Sequence, residues 1–188
     1  MKRRFPLRMQ LMMMVGIIII LLLSVLSFSL YELNQVTKGA ERVVQHTANQ
    51  AIEIKEGQLN FSEALKGLRG FLLYAAPNYE QESTRGLKKS LELAKDYNLK
   101  SSTQEQKNEG EKLEKLLINY VTFLDQIIAA KKANDPRINE MLSQGRQMTE
   151  EVDQRYAKLA EIQKKHLADQ GKALLDSSNK MTMLATAT

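Results

Sequence analysis

Cysteine is missing from this 188-residue chain, so disulfides, thiolate nucleophiles and cysteine-held zinc are excluded. Tryptophan is missing too, proline occurs three times, and His46 and His166 are the only histidines. β-Branched clusters are scarce beyond residue 30, and Ala, Leu, Glu, Lys and Gln, all good helix formers, dominate there. There is no Gly-rich phosphate loop, no nucleophile elbow and no H-E-x-x-H zinc signature. No convergent set of reactive groups remains, so no enzymatic activity, no cofactor and no resident metal is expected.

Charge is missing from one long stretch. Leu11 to Leu30 carries none, and no acid occurs before Glu32. Twenty helical residues rise about 30 Å, the thickness of a bilayer's hydrocarbon core. Lys2, Arg3, Arg4 and Arg8 precede the stretch. Basic flanks stay in the cytoplasm, which predicts a cytoplasmic stub over 1–10, a membrane helix over 11–31 and everything later outside the cytoplasm, anchored in the cell membrane. A cleaved signal peptide is the rival reading. Its apolar region would run about 7–15 residues before a small-residue cleavage site, and Ser27-Phe28-Ser29 imitates such a site poorly. The formal net charge of +5 resides mostly in the four basic residues of the stub, since 23 basic and 22 acidic residues remain beyond them. A nucleic-acid partner is not expected from that balance.

The rest of the chain predicts an all-α fold, the membrane helix continuing into an up-down-up-down four-helix bundle over 32–180. Leu33, Ala40, Thr47, Ile54, Phe61, Leu68 and Ala75 recur every seventh residue, with Val36, Val43, Gln50, Gly57, Ala64 and Phe71 at the companion position. Val44, Ala51, Leu65 and Leu72 widen that stripe to the breadth of a bundle helix over about 32–75. Pro77 ends it and suits the first turn of a second helix, about 78–97, with Leu87, Leu91, Ala94 and Asn98 on one side. Ser102 with Glu105, or Thr103 with Gln106, has capping-box spacing for a third helix, about 103–133. Leu113, Leu116, Leu117, Tyr120, Leu124, Ile127 and Ile128 form its stripe. Asn134 and Asp135 are good caps, and Pro136 suits the first position of a fourth helix over about 136–180. Its stripe, Ile138, Met141, Leu142, Met148, Val152, Leu159 and Ile162, fades after His166. The uncharged tail 181–188 reads as the start of a second, cut-off membrane helix, or as a frayed end. Thr47 and Gln50 lie within the apolar stripe; buried polar groups can fix register there, line a pocket or face water, and the structural role is the favoured reading.

The string Leu68-Arg69-Gly70-Phe71-Leu72-Leu73-Tyr74, then Pro77-x-Tyr79, joined to a basic N-terminus and a membrane helix entering a long bundle helix, resembles the N-terminal sensor region of bacterial methyl-accepting chemotaxis proteins. Related bundles in some sensor histidine kinases share the string. The family often has Gly-Asp before that proline, where this chain has Ala75-Ala76, which removes an N-cap carboxylate from the second helix. The resemblance implies a homodimer that senses a small-molecule solute or a solute-binding protein. It also implies a second membrane helix, a HAMP linker and a cytoplasmic signalling hairpin. Small anions such as amino-acid carboxylates are typically held near the membrane-distal end, between subunits, by several arginines of the first helix. Arg69 is the one match, so amino-acid specificity does not carry over. Arg85, Lys131 and Arg137 are candidates to join it, since a guanidinium fork suits a carboxylate. The plainer reading of Arg69 is a solvated surface arginine.

His46 lies fifteen residues after Tyr31, and His166 fifteen before Met181. On neighbouring helices, both rings would stand roughly 22 Å above the bilayer. Across a dimer they would make a pH- or metal-responsive layer, against the plainer reading of two unrelated edge histidines. Three functions follow in order: the input region of a transmembrane chemoreceptor that displaces its fourth helix on binding, the sensor half of a membrane histidine kinase, and a single-pass structural or adaptor bundle.

Overall fold

The computed structural model describes the backbone of residues 7–186 and the side chains of residues 12–31, 34, 38–39 and 44–177. Four α-helices follow one another: α1 (Leu7–Tyr74), α2 (Pro77–Lys100), α3 (Gln104–Lys132) and α4 (Ile138–Thr186). No strand occurs among the described residues, and the fold is the all-α four-helix bundle the periodicity predicts. The chain divides into two units, residues 1–43 and residues 44–188.

In the first unit, Met12–Tyr31 has a mean hydropathy of 2.7 and no buried residue, and it is long and apolar enough to cross a membrane. Ser24 folds its hydroxyl back onto the Leu21 carbonyl at 2.8 Å, which hides a polar group that hydrocarbon would leave unsatisfied. The stub side chains Lys2, Arg3, Arg4 and Arg8 lie outside the described residues, as do the stripe side chains Leu33, Val36, Ala40 and Val43.

In the second unit the predicted stripes face inward. Thr47, Gln50, Ile54, Phe61, Ala64, Leu68 and Phe71 of α1 are buried, as are Leu113, Leu117, Tyr120, Leu124, Ile127 and Ile128 of α3. Ala75 and Leu142, predicted inside, are exposed. Side chains with no exposed surface, such as Leu117 and Leu159, each contribute about 1.5–3 kcal/mol of transfer free energy. Tyr120 ties helices together, edge-on to Phe61 of α1 at 5.1 Å and to Phe123 at 5.7 Å. Glycines set the helix separations. A Cβ on Gly67 would stand 2.7 Å from the Ser83 nitrogen, and one on Gly86 2.8 Å from the Asn60 carbonyl oxygen, so α1 and α2 touch backbone to backbone. At the other three seams Gly57 meets Tyr156, Gly110 meets Tyr97 and Asn98, and Gly145 meets Phe123.

The turns differ from expectation in informative ways. Ala75 adopts φ 53°, and the N-cap Ala76 offers no side-chain hydrogen bond to α2. α2 runs three residues past its predicted end at Tyr97, to Lys100, where the Ser101 hydroxyl donates to the Tyr97 carbonyl at 2.9 Å. Of the two capping boxes, Thr103 with Gln106 is the one that forms. α4 is helical from Ile138, two residues after Pro136, and Asp135 caps its start, its Oδ1 accepting from the Arg137 backbone N–H at 2.9 Å. The α1–α2 and α3–α4 turns share one end of the bundle, where Lys132 pairs with Glu80 at 2.8 Å and lies over the Phe71 ring. The backbone of α4 stays helical to Thr186. The side chains of the uncharged tail 181–188 lie outside the described residues.

Candidate functional site

The four cations singled out in the sequence line no common cavity among those described. Arg69 is exposed on α1, close enough to Tyr120 for its charge to act on the buried phenol. Arg85 is exposed on α2 and lines an open groove of about 530 Å³ between α1 and α2 with Asn60, Glu63, Lys66, Glu82 and Lys89. That is a ligand-sized volume, yet it mixes both signs of charge. Lys131 is half-buried. Arg137 is committed to a neighbour: its Nη2 donates to Asp135 Oδ2 at 2.7 Å and its Nε to Asp135 Oδ1 at 3.1 Å. That fork holds the Asp135 carboxyl down at about 2, from an ordinary 3.8.

The opposite end, around the α2–α3 turn, holds a polar layer that draws on all four helices. Gln50 of α1 donates through Nε2 to the Lys100 carbonyl at 2.7 Å. Gln163 of α4 donates through its own Nε2 to Gln50 Oε1 at 3.2 Å and to the Tyr97 hydroxyl at 3.0 Å. Burial pushes the Tyr97 phenol up from its ordinary value. Gln163 Oε1 is buried without a partner. One turn along α4, the nitrogens of His166 face two glutamine amides: Gln106 Nε2 at 3.1 Å from Nδ1 and the Gln170 amide at 3.2 Å from Nε2. The oxygen of the Gln170 amide accepts from the Thr47 hydroxyl at 2.9 Å. Further up the bundle, Ser90 and Tyr156 share a buried 2.7 Å hydrogen bond, and burial raises the Tyr156 phenol to about 12.

Thr47 and Gln50 are buried and hydrogen-bonded to neighbouring helices, so neither faces water. His46 is exposed while His166 is half-buried in the layer, and among the described residues no three His, Cys, Asp or Glu side chains gather where one metal ion would be held. Gln106, Gln163, Gln170, Tyr97 and Tyr156 escaped the apolar pattern, although the spacing of Val152, Tyr156, Leu159, Gln163, His166 and Gln170 continues the α4 stripe with polar side chains. Chemically, the layer holds two hydrogen-bonded sets, Gln50–Gln163–Tyr97 with the Lys100 carbonyl and Gln106–His166–Gln170–Thr47, and each joins α1 and α4 to a neighbouring helix, so a shift of α1 or α4 disturbs partners in both.

Known proteins agree with this architecture. A family profile described as "four helix bundle sensory module for signal transduction" matches residues 4–177. A solved chain from a structure titled "XylFII-LytSN complex" shares the fold, with a TM-score of 0.59 at 12% identity over 62% of this chain and 97% of that one. No curated protein sequence matches. The profile takes in the apolar span, every helix and both ends of the bundle, and on that match the chain belongs to the family of four-helix-bundle sensory modules for signal transduction.

Proposed function

We propose that this chain is the signal-input region of a transmembrane methyl-accepting chemotaxis receptor, membrane-anchored by the Met12–Tyr31 segment, with its bundle outside the cytoplasm and paired as a homodimer. The observation that supports it is a single helix, α1, which includes both an apolar span and one full side of a sensory bundle. Binding of a solute would shift the balance between two packings of the bundle by its differential affinity for them, and the moving part would be α4. Arg69, Arg85, Lys131 and Arg137 line no common cavity on one chain, so an anion held by more than one of them would need the second copy. Ile52 and Leu59 are exposed one heptad apart on α1, and Leu73 follows two heptads on beyond the exposed Lys66, so the apolar surface suited to pairing is at Ile52 and Leu59.

The chain has no native cysteine, so a single Leu59→Cys substitution gives a clean probe. Oxidation in native membranes should yield a covalent dimer, whereas Lys88→Cys on α2 should not. A chimera joining this chain to a chemoreceptor's cytoplasmic half should change kinase output on addition of an amino acid or organic acid. Silence of the chimera to every such solute, together with no Leu59→Cys dimer, would reject the reading. A second input route draws on the fold neighbour, which is titled as a complex: here a solute-loaded binding protein would act on the bundle. The same chimera distinguishes it, since the response would then require the carrier protein and not the solute alone.

A further inference from the structure

We propose that the bundle carries a proton-binding site at His166, so that external acidity is itself an input of this module. The site is defined by which atoms the surrounding amides can present. Gln106 Oε1 accepts from the Ser102 N–H at 3.0 Å, the Thr103 N–H at 3.0 Å and the Ser102 hydroxyl at 3.1 Å. Three donors on one oxygen fix the orientation of that amide, and its NH2 end is what faces His166 Nδ1. Nδ1 therefore accepts, and the ring hydrogen sits on Nε2. As placed, the Gln170 amide turns Nε2 to His166 Nε2 at 3.2 Å and accepts from the Thr47 hydroxyl through Oε1 at 2.9 Å; exchanging the two ends of that amide, which have nearly the same shape, lets its oxygen accept from the ring N–H while its NH2 donates to Thr47 Oγ1.

A neutral imidazole satisfies every member of this chain. A second proton does not: it places an N–H on Nδ1 against the NH2 of Gln106, donor against donor. The Gln106 amide must then turn, which takes its oxygen from the N–H groups of Ser102 and Thr103 and undoes the capping box that starts α3. No ion pair among the described residues offsets the new charge. On α1, Glu53 is paired with Lys100 of α2, and His46 is exposed. On α3, Glu109 is paired with Arg155 and Lys112, while Glu105 and Lys107 are exposed. On α4, Lys165 and Asp169 are exposed. Acidification thus opens the α2–α3 turn and loosens the hold of α3 on α4 at His166.

This site stands or falls separately from the solute and carrier readings, because its test needs neither. Amide hydrogen exchange is measured on the full chain in detergent at about pH 7.5 and about pH 5.5, either side of the range where histidine changes charge, with intrinsic rates corrected. In the wild type, protection of the Gln106 and Lys107 amides should fall about tenfold on acidification. His46→Gln should keep that loss and His166→Gln abolish it. Gln106→Glu should reverse the sign, since the new carboxylate accepts from the Thr103 N–H and from a protonated ring alike, so protection should be higher at the acidic pH. Equal protection at both pH values in the wild type, a loss that survives His166→Gln, or an unreversed loss in Gln106→Glu would each overturn the proposal. The Gln106→Glu arm keeps it falsifiable if His166→Gln does not fold.

Discussion

Gln50 on α1 donates to the carbonyl of Lys100, the last residue of α2, across 2.7 Å. The final carbonyls of a helix have no partner within it, and this side chain supplies one from the neighbouring helix. The same amide accepts from Gln163 of α4, so three helices meet at one side chain. Gln50→Leu should therefore cost about 1–3 kcal/mol, the penalty for leaving buried polar groups unpaired. Gln163→Leu should cost a similar amount. Thermal unfolding in detergent should show the double variant less destabilised than the sum of the singles, because both remove the same glutamine–glutamine bond. Strict additivity would mean that the two amides do not act together.

Glycines at the helix seams give a prediction of opposite signs. Gly86→Ala places a methyl 2.8 Å from the Asn60 carbonyl oxygen and 3.0 Å from the Ala64 nitrogen, main-chain atoms that cannot turn aside. The intrinsic helix gain of alanine, about 1 kcal/mol, is outweighed by overpacking of about 1–3 kcal/mol. Gly171→Ala meets nothing within 4 Å and should keep the helix gain. Melting temperatures should fall for the first and rise for the second.

How far the sequence revealed this molecule varies with the kind of information. Heptad spacing found the buried face of α1 down to Thr47 and Gln50, because burial in a bundle is periodic whether the residue is phenylalanine or glutamine. The same rule applied only to apolar residues lost α4 after Ile162, where the stripe continues as Gln163, His166 and Gln170. That Gln163 meets Gln50, 113 positions away, depends on how two helices are rotated about their axes, which spacing does not fix. The same freedom explains why the cations share no cavity: Arg85 lies on an outer flank of α2, and Arg137 was captured by a carboxylate two residues away. Pro136, expected at the first position of α4, lies in the turn that leads into Ile138, between the Asp135 cap and the Arg137 N–H it accepts from.

Asp135 gives a test of that turn. Its folded-state carboxyl sits at about 2, below the ordinary 3.8, chiefly because the Arg137 side chain donates to it. A lowered carboxylate contributes stability that is present above the ordinary value and lost as pH falls through the folded one. Asp135→Asn keeps a side-chain oxygen for the Arg137 N–H but removes the charge. The wild type should therefore melt above the variant at neutral pH, and the gap should close between pH 3.8 and about 2. A gap that stays constant over that range would assign the effect to the cap and not to the ion pair.

The α1–α2 turn is suboptimal at two adjacent residues, for two different reasons. Ala75 holds φ 53°, a left-handed conformation in which a Cβ crowds its own backbone. Glycine has no such cost, so Ala75→Gly should stabilise by about 1 kcal/mol despite the freer unfolded chain. Ala76 is the N-cap of α2 and makes no side-chain bond to its first turn, and Ala76→Asp should add about 0.5–2 kcal/mol. The source of the second gain can be separated by Ala76→Asn, which caps as well but carries no charge. If the two variants melt together at low salt, the hydrogen bond to the exposed N–H groups is responsible. If only the carboxylate stabilises, and salt removes its advantage, the helix dipole is responsible. Pro77 fills the first helical position and lacks only an N–H that a cap side chain does not reach, so the N–H groups of the next two residues still await a partner. The gain from Ala76→Asp should accordingly be similar in size to the loss when Thr103, which caps α3 through the Gln106 N–H, is replaced by alanine.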